Sequence, residues 1–348
     1  MSFFKRTHLP EPFYPPPPPQ PAPAPLIQTT GERGAQQNFY TKVNKIIYCG
    51  SPLRLFVQNN WLILSGDNEK RSLEAAENRV SWEDIGFIEL DHPQITLSFS
   101  VFQTAASRSI PILVSDTQHL PGGLFLPAQG HSSTTKSSAA QVMATVALRK
   151  RIWKQVVQAK LHNQAQLMAS LGEEAAQRRL SVLARSVKSG DHENKEAQGA
   201  RVYWKAFGKA LETKFSREPQ AGHWPNNLLD YGYAILRAYV ARACITSGLL
   251  PQIGLFHHNQ FDPFPLANDL MEPYRPLVDR LVLHTAHNLP ATDQLQKEHK
   301  RELLYLPTLR LVQAGQQMSM ANAIRRSTAS LASCFLGENR SIQLPKLY

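Results

Sequence analysis

The sequence predicts an α+β multidomain protein: a small N-terminal β-sheet domain followed by a larger, all-helical, basic domain. Three observations carry that prediction. Near residue 139 the apolar pattern changes, from short runs of branched and aromatic residues to stripes at i, i+3 and i+4. A stretch rich in Gly, Ser and Thr, residues 119–138, separates the two patterns. The charge divides at the same place: residues 1–135 hold 10 Lys+Arg against 11 Asp+Glu, and residues 136–348 hold 28 against 16. The net of +11 is therefore −1 from the first part and +12 from the second. The expected division is a proline-rich disordered tail over 1–40, a β domain over 41–118, a linker over 119–138, a helical domain over 139–336 and a C-terminal tail over 337–348.

The elements follow in order. Residues 10–25 contain ten prolines, five of them consecutive, which fix φ, remove donors and exclude helix and central strand. Residues 45–49, 53–58 and 61–65 are short runs rich in branched and aromatic residues. Asn59-Asn60 between the last two suits a two-residue hairpin turn, because Asn tolerates positive φ, and Gly66-Asp67-Asn68 marks the next turn. Residues 86–90 and 110–114 are further strands. Between them two patterns compete. Ser98 could cap a helix carrying Phe99, Phe102 and Ala106, while Ile95, Leu97, Phe99 and Val101 alternate as in a strand.

Past residue 139, Leu148, Ile152, Trp153, Val156 and Val157 form one apolar stripe, and Arg149, Lys150, Arg151, Lys154 and Lys160 are assigned to the remaining faces. Further helical stretches are expected near 165–187, 196–214, 226–247, 266–284, 294–312 and 317–335, with Asn226 or Asn227 as a cap after Trp224-Pro225.

Composition excludes several classes. The longest apolar runs fall short of 18 residues, so no membrane span is expected. Lys5 and Arg6 are followed by prolines where a signal peptide needs an apolar stretch, and the chain reads as cytoplasmic. Three isolated cysteines, Cys49, Cys244 and Cys334, with no CxxC pair, suit a reducing compartment and not a cysteine zinc site. A polyanion is the ligand that the basic second part suits.

Two segments carry candidate chemistry. In GLFHHNQFDPFPLANDLMEPYRPLVDR, residues 254–280, two histidines precede a proline-punctuated loop and then a helix bearing Asp269 and Glu272. Those carboxylates, three residues apart, share a helical face, and Arg275 is placed to hold one of them. One imidazole with two carboxylates suits a hard or borderline divalent ion, Mg²⁺ or Mn²⁺. A salt-bridge ladder on a surface helix would give the same spacing. In NKEAQGARVYWKAF, residues 194–207, Glu196 lies four before Ala200 and so continues the inward stripe of Tyr203 and Phe207. A carboxylate there needs a partner. Arg201 or Lys205 could supply it, or a metal shared with His258 and Glu272. His284 and His287 lack a nearby carboxylate and read as helix-face residues. No Ser/His/Asp or Cys/His arrangement for nucleophilic catalysis is evident.

These segments together resemble the CRISPR-associated Cas1 family of spacer-acquisition integrases, and the type II branch in particular. ENRVSWEDIGFIELDHPQITLS resembles the family's N-terminal sheet and GGLFLPAQGHS the strip that ends it. LRKRIWKQVVQAKLHNQ resembles the first long helix, KEAQGARVYWKAFG the glutamate-bearing motif, and the block from Asn226 to Asp279 the most characteristic part. The resemblance spans about 300 residues and leaves out the proline-rich head and the last dozen residues. It implies that the family's metal-binding glutamate falls on Glu196, its histidine on His258 and its last acidic ligand on Glu272. Asp269, eleven residues after His258, takes the intermediate acidic position and would ligate directly or through water. The family's usual glycine directly after the glutamate is replaced by Ala197, with glycine at Gly199.

The resemblance further implies a homodimer. That homodimer pairs with the small protein Cas2 to capture short duplex DNA and insert it at the repeats of a CRISPR array. The 3′-OH of the captured strand attacks a phosphodiester, with metal-assisted DNA cleavage as the related reaction. The helical domain would then be the metal-binding catalytic domain. Arg149, Lys150, Lys154, Arg201, Arg237 and Arg242 are candidates to contact DNA phosphates. A catalytically inactive DNA-binding scaffold of the same fold is the alternative, and a small-molecule metallohydrolase is disfavoured by the charge and by the lack of HExxH or Walker patterns.

Overall fold

A five-stranded sheet separates two hydrophobic cores and receives the helices on one face. The computed structural model describes residues 27–28, 45–66, 79–117, 121–126, 134–257 and 259–347. The proline-rich stretch 10–25, the turn residues Asp67 and Asn68, and His258 lie outside the described residues. The parallel strands β2 (Lys45–Cys49), β6 (Ile85–Leu90) and β8 (Ile112–Ser115) form the middle of the large sheet. Strands β1 (Ile27–Gln28) and β9 (Pro121–Phe125) flank them antiparallel. A second sheet runs β5 (Arg79–Ser81), β4 (Trp61–Gly66), β3 (Leu53–Gln58), β7 (Thr96–Leu97). The hairpin β3–β4 turns at Asn59 and Asn60 with φ of 48° and 62°, as its two-residue loop requires.

Strand alternation sorts the side chains. Ile47, Cys49 and Ile88 face the second sheet and join Leu55, Leu62, Leu64 and Trp82 in one core. Ile46, Tyr48, Phe87 and Leu113 face the helices and belong to the other. All six residues of β6 are buried, because a parallel strand covered on both faces presents no side to water. The two competing patterns near residue 98 resolve into both elements in sequence. Strand β7 is confined to Thr96–Leu97, and α1 (Phe99–Ser107) follows, burying Val101 and Ala105 and leaving Phe99 72% exposed.

The rest of the chain is mostly helical: α2 (Thr134–Val142), α3 (Val146–Ser170), α4 (Glu174–Ser186), α5 (Lys195–Ala210), α6 (Asn226–Thr246), α7 (Pro265–Met271), α8 (Arg275–Asn288), α9 (Lys297–Leu304) and α10 (Met320–Phe335). Helix α6 is buried around nearly its whole circumference and forms the axis on which α7, α8, α9 and α10 pack. A polar seam ties it to the sheet. Tyr231 donates to both oxygens of Glu89, at 2.6 and 2.7 Å, and Arg242 donates to the Gly86 carbonyl at 2.9 Å. Asp91 is ion-paired with Lys300 and accepts from Tyr48 at 2.5 Å. Burial pushes the Glu89 carboxyl up to about 7, against the hydrogen bond from Tyr231.

Two segments differ from expectation. Residues 119–138, expected as a linker, supply β9 and the start of α2, since an edge strand such as Pro121–Phe125 needs only backbone pairing and tolerates Gly122 and Gly123. The helix expected near 294–312 stops at Leu304. After Pro307 the chain forms β10 (Arg310–Gln313), which pairs with β11 (Gln316–Ser319) through Ala314 and Gly315 at positive φ. The last residues pack back on the protein: Lys346 bridges Val312, and Leu347 donates to Asn163. All three cysteines are buried free thiols. Among the described residues no helix is long and apolar enough to cross a membrane.

Candidate metal centre

Three parts of the helical core meet at one point: the middle of α3, the first turn of α5 and the junction between α7 and α8. Helix α3 buries Trp153, Val156, Val157 and Leu161, and Lys160 continues their side into the protein. Its ammonium lies 2.7 Å from Glu196 Oε1 and 2.5 Å from Glu272 Oε2. The three side chains are 12%, 19% and 6% exposed. The first of these contacts is also a hydrogen bond. The second is a close ion pair to a buried oxygen, in which both the charge and the hydrogen bonding of Lys160 favour the ionised Glu272.

The entry of α5 fixes Glu196. Asn194 takes a left-handed conformation, φ 53°, and its side chain accepts from Ala197 N–H at 3.3 Å. The Asp191 carboxylate accepts from the Lys195 and Glu196 amides at 2.8 and 3.0 Å. With its amide pinned, Glu196 projects toward α3. One turn later Gly199 lets the two helices approach: a Cβ there would lie 2.1 Å from Leu161 Cδ2. Arg201 and Lys205 are both exposed, and the partner of Glu196 is Lys160 from another helix.

Glu272 opens a 3-10 turn, Glu272–Tyr274, between α7 and α8. Arg275 donates from Nε to Glu272 Oε1 at 2.8 Å, as the three-residue spacing suggested. The guanidinium also lies 4.4 Å above the Tyr233 ring. Tyr203 and Tyr233 both donate to buried Asp279, which burial pushes up to about 6. Burial opposes the charge of Glu272, but Arg275 and Lys160 outweigh it and hold the carboxyl down at about 2. Burial likewise opposes the charge of Lys160, and Glu272 and Glu196 overcome it, so its pKa stays above the ordinary lysine value.

Asp269 is fully buried and turned to a different task. Its Oδ2 accepts the amides of Leu255 and Phe256 at 2.5 and 3.0 Å, and its Oδ1 accepts that of His257 at 3.3 Å. The His257 ring meets the same Oδ1 through Nδ1 at 2.5 Å, and that bond, against partial burial, raises the imidazole pKa. Gly254 starts this loop under close constraint: a Cβ would lie 2.4 Å from the His257 carbonyl oxygen and 3.0 Å from Asp269 Oδ2. Phe256 stacks on Trp153 with centroids 4.7 Å apart and planes at 1°. The Asp269 carboxylate therefore holds the loop that leads into His258, itself outside the described residues.

The structure thus brings Glu196 and Glu272 together across a cation, and places Asp269 beneath the histidine loop. Among the described residues no group of three or more His, Cys, Asp and Glu side chains is gathered tightly enough to hold a metal ion. The donor set nevertheless fits one. Two carboxylates converge on a single cationic position, and the ammonium of Lys160 stands in it.

Sequence reasoning missed Lys160 and Asp191. Its basic neighbours suggest a polar face for Lys160, yet it lies four residues after Val156 and seven after Trp153, the same inward spacing that marks Glu196.

The phosphate-contact candidates divide. Lys150 and Arg201 are exposed and Lys154 is half-buried. Arg149 is spent on backbone carbonyls, Gly254 at 2.8 Å and Gln141 at 2.9 Å, and so pins the histidine loop to the start of α3. Arg242 holds Gly86, and Arg237 is half-buried on α6.

A β-rich part followed by a helical part in which two carboxylates from separate elements converge on one cation defines the class. Comparison with known proteins narrows that class. The family model described as CRISPR associated protein Cas1 matches residues 53–310. A CRISPR-associated endonuclease Cas1 of Neisseria meningitidis is 31% identical over 296 residues, 84% of this chain and 93% of that protein. One from Pyrobaculum aerophilum is 26% identical over 76% of this chain and 93% of its own length. The chain belongs to the Cas1 family of CRISPR-associated proteins.

Solved structures agree on the fold. A Cas1 protein from Thermotoga maritima superposes with TM-score 0.66 at 18% identity, over 84% of this chain and 98% of that one. A casposase bound to an integration product gives 0.67 at 19%, over 84% and 91%. A Cas6-RT-Cas1–Cas2 complex gives 0.67 at 17%, over 88% of this chain and 36% of the matched chain.

Proposed function

We propose that this protein is a metal-dependent DNA integrase and endonuclease of the type II branch, which inserts short duplex DNA into a CRISPR array. The observation that carries this is the convergence of Glu196 and Glu272, from separate elements, on one cationic position in a member of the Cas1 family. The segments quoted above support the branch, and the 31% identity to the Neisseria protein supports the family.

Glu196, Glu272 and His258 would hold Mg²⁺ or Mn²⁺. Such an ion neutralises charge developing on non-bridging phosphate oxygens and polarises the bond to be broken. The chain's own residues prepare the centre. Arg275 keeps Glu272 ionised at any physiological pH. Asp191 and Asn194 fix the first turn of α5 from which Glu196 projects. Asp269 orders the backbone of the histidine loop, and Arg149 ties that loop to α3. The nucleophile is the 3′-OH of the captured DNA, so no activated protein nucleophile is called for. Exposed Lys150 and Arg201 are the better placed of the basic side chains to meet phosphates. A homodimer working with Cas2 on duplex DNA is the assembly proposed, in line with the Cas1–Cas2 complex among the structural matches.

The test is strand joining. The full chain, with its small partner, a 3′-OH duplex and a repeat-bearing supercoiled plasmid, is expected to join strands only with Mg²⁺ or Mn²⁺, and not as His258→Ala or Glu196→Gln. Joining by both variants would reject the ligand set. Salt-sensitive DNA binding without joining in any of the proteins would favour the scaffold of the same fold.

A further inference from the structure

The centre contains a cation of its own. Lys160 Nζ sits 2.7 Å from Glu196 Oε1 and 2.5 Å from Glu272 Oε2, while Arg275 occupies the other oxygen of Glu272. Two carboxylates are thereby balanced by two cationic side chains in a site that is mostly closed to water. A divalent ion held by both Glu196 and Glu272 would need the position on which their oxygens converge. That is the space the ammonium fills, and a divalent ion placed beside a retained ammonium would face strong repulsion at low local dielectric.

Building on the metal-dependent reading above, we infer that Lys160 is the resident counter-ion of the metal-free centre, displaced from the carboxylates when a divalent ion enters. It is a positioning residue. Without metal it keeps Glu196 and Glu272 converged on one point and offsets their mutual repulsion. By competing for their oxygens it also sets the metal affinity below what the bare carboxylates would give. The geometry favours this role over a purely structural ion pair. Here one ammonium is shared between two carboxylates that come from different elements, the position a divalent ion would take over. The lysine has a long flexible stem, and Arg275, the other cation of the cluster, is braced over the Tyr233 ring. Glu196 is fixed through its helix cap and Glu272 through Arg275, so the ammonium is the part that can leave.

The test reads metal binding and needs no DNA. Mn²⁺ is titrated into the full-length chain, and the free ion is followed by its EPR signal, for the unaltered protein and for Lys160→Gln, Lys160→Arg and Glu272→Gln. Lys160→Gln is expected to bind Mn²⁺ about tenfold more tightly than the unaltered chain, a change of about 1.4 kcal/mol. Its melting temperature without metal should fall, and saturating Mn²⁺ should raise it by more than in the unaltered chain. Lys160→Arg, which restores a cation, should return affinity toward the original value.

Equal or weaker binding by Lys160→Gln, with Glu272→Gln impaired, overturns the inference and leaves the metal site standing. Undiminished binding by Glu272→Gln overturns the metal site itself and the inference with it. If Lys160→Gln fails to fold, NMR of the unaltered chain labelled at lysine decides. The Lys160 side-chain resonance, assigned from its loss in Lys160→Arg, is expected to move on Mg²⁺ saturation, and an unmoved resonance overturns the displacement.

Discussion

Replacing Asp269 by Asn separates a loop anchor from a metal ligand. The carboxylate accepts three backbone amides, Leu255 at 2.5 Å, Phe256 at 3.0 Å and His257 at 3.3 Å, and meets the His257 ring as well. Asn keeps one acceptor oxygen and turns the other into a donor. If the NH₂ takes the Oδ2 position, it faces two N–H groups and orphans both. If it takes the Oδ1 position, the longer His257 amide bond is lost, and the imidazole can adapt only as the tautomer with Nδ1 unprotonated. The second arrangement is the cheaper. It still leaves one partly buried amide unsatisfied, at about 1–2 kcal/mol, and strips charge assistance from the two bonds that remain, at about 0.5–1 kcal/mol each. The expected loss is about 3 kcal/mol of unfolding free energy, in EDTA, with no metal involved.

Equilibrium urea unfolding in EDTA, followed by far-UV circular dichroism and tryptophan fluorescence, measures it. Trp153, stacked on Phe256 of the same loop, should report loosening even in the native baseline. A variant within about 0.5 kcal/mol of the unaltered protein, with metal binding abolished, would refute the anchoring argument and return Asp269 to direct ligation.

Two further predictions rest on separate contacts. Gly254→Ala should destabilise the protein by about 2 kcal/mol and suppress strand joining, because the new Cβ meets the His257 carbonyl, a backbone atom that cannot rotate away. Gly66→Ala, where nothing lies within 4 Å, is the matched control, and thermal melts of the two would reject the steric account if they coincide. Glu89, raised from 4.5 to about 7, binds more protons folded than unfolded between those values. Its contribution to stability is therefore complete below about 4.5 and lost as pH rises through about 7. Glu89→Gln should flatten that decline, leaving the variant on the order of 2 kcal/mol more stable than the parent at pH 8 relative to their difference at pH 4.5. Unfolding titrations across that range that keep the parent's slope would show that another group is responsible.

The sequence by itself determined the local elements and which way their faces turn. Short runs of branched and aromatic residues marked strands at 45–49 and 53–58, Asn59-Asn60 marked the hairpin between β3 and β4, and the stripe of Tyr203 and Phe207 placed Glu196 on an inward face. Each of these is written in residues within a turn or two of one another, where backbone preference and apolar period act directly. The β10–β11 hairpin was hidden because RLVQ and QQMS carry little strand signal, and their pairing is fixed by Ala314-Gly315 and by Lys346 bridging to Val312.

Only the tertiary structure decided which inward charges meet. Lys160, Glu196 and Glu272 are spread over more than a hundred residues, and no local pattern says that the first is the partner of the other two. The spacing of Asp269 and Glu272 suggested one shared face and one shared task. The fold sent them to different partners, Asp269 to three amides of the preceding loop and Glu272 to Lys160 and Arg275. The physical reason is that a buried carboxylate must be compensated by whatever donors the packed elements bring within about 3 Å. Periodicity declares that a charge goes inside, and the packing of distant helices chooses what it finds there.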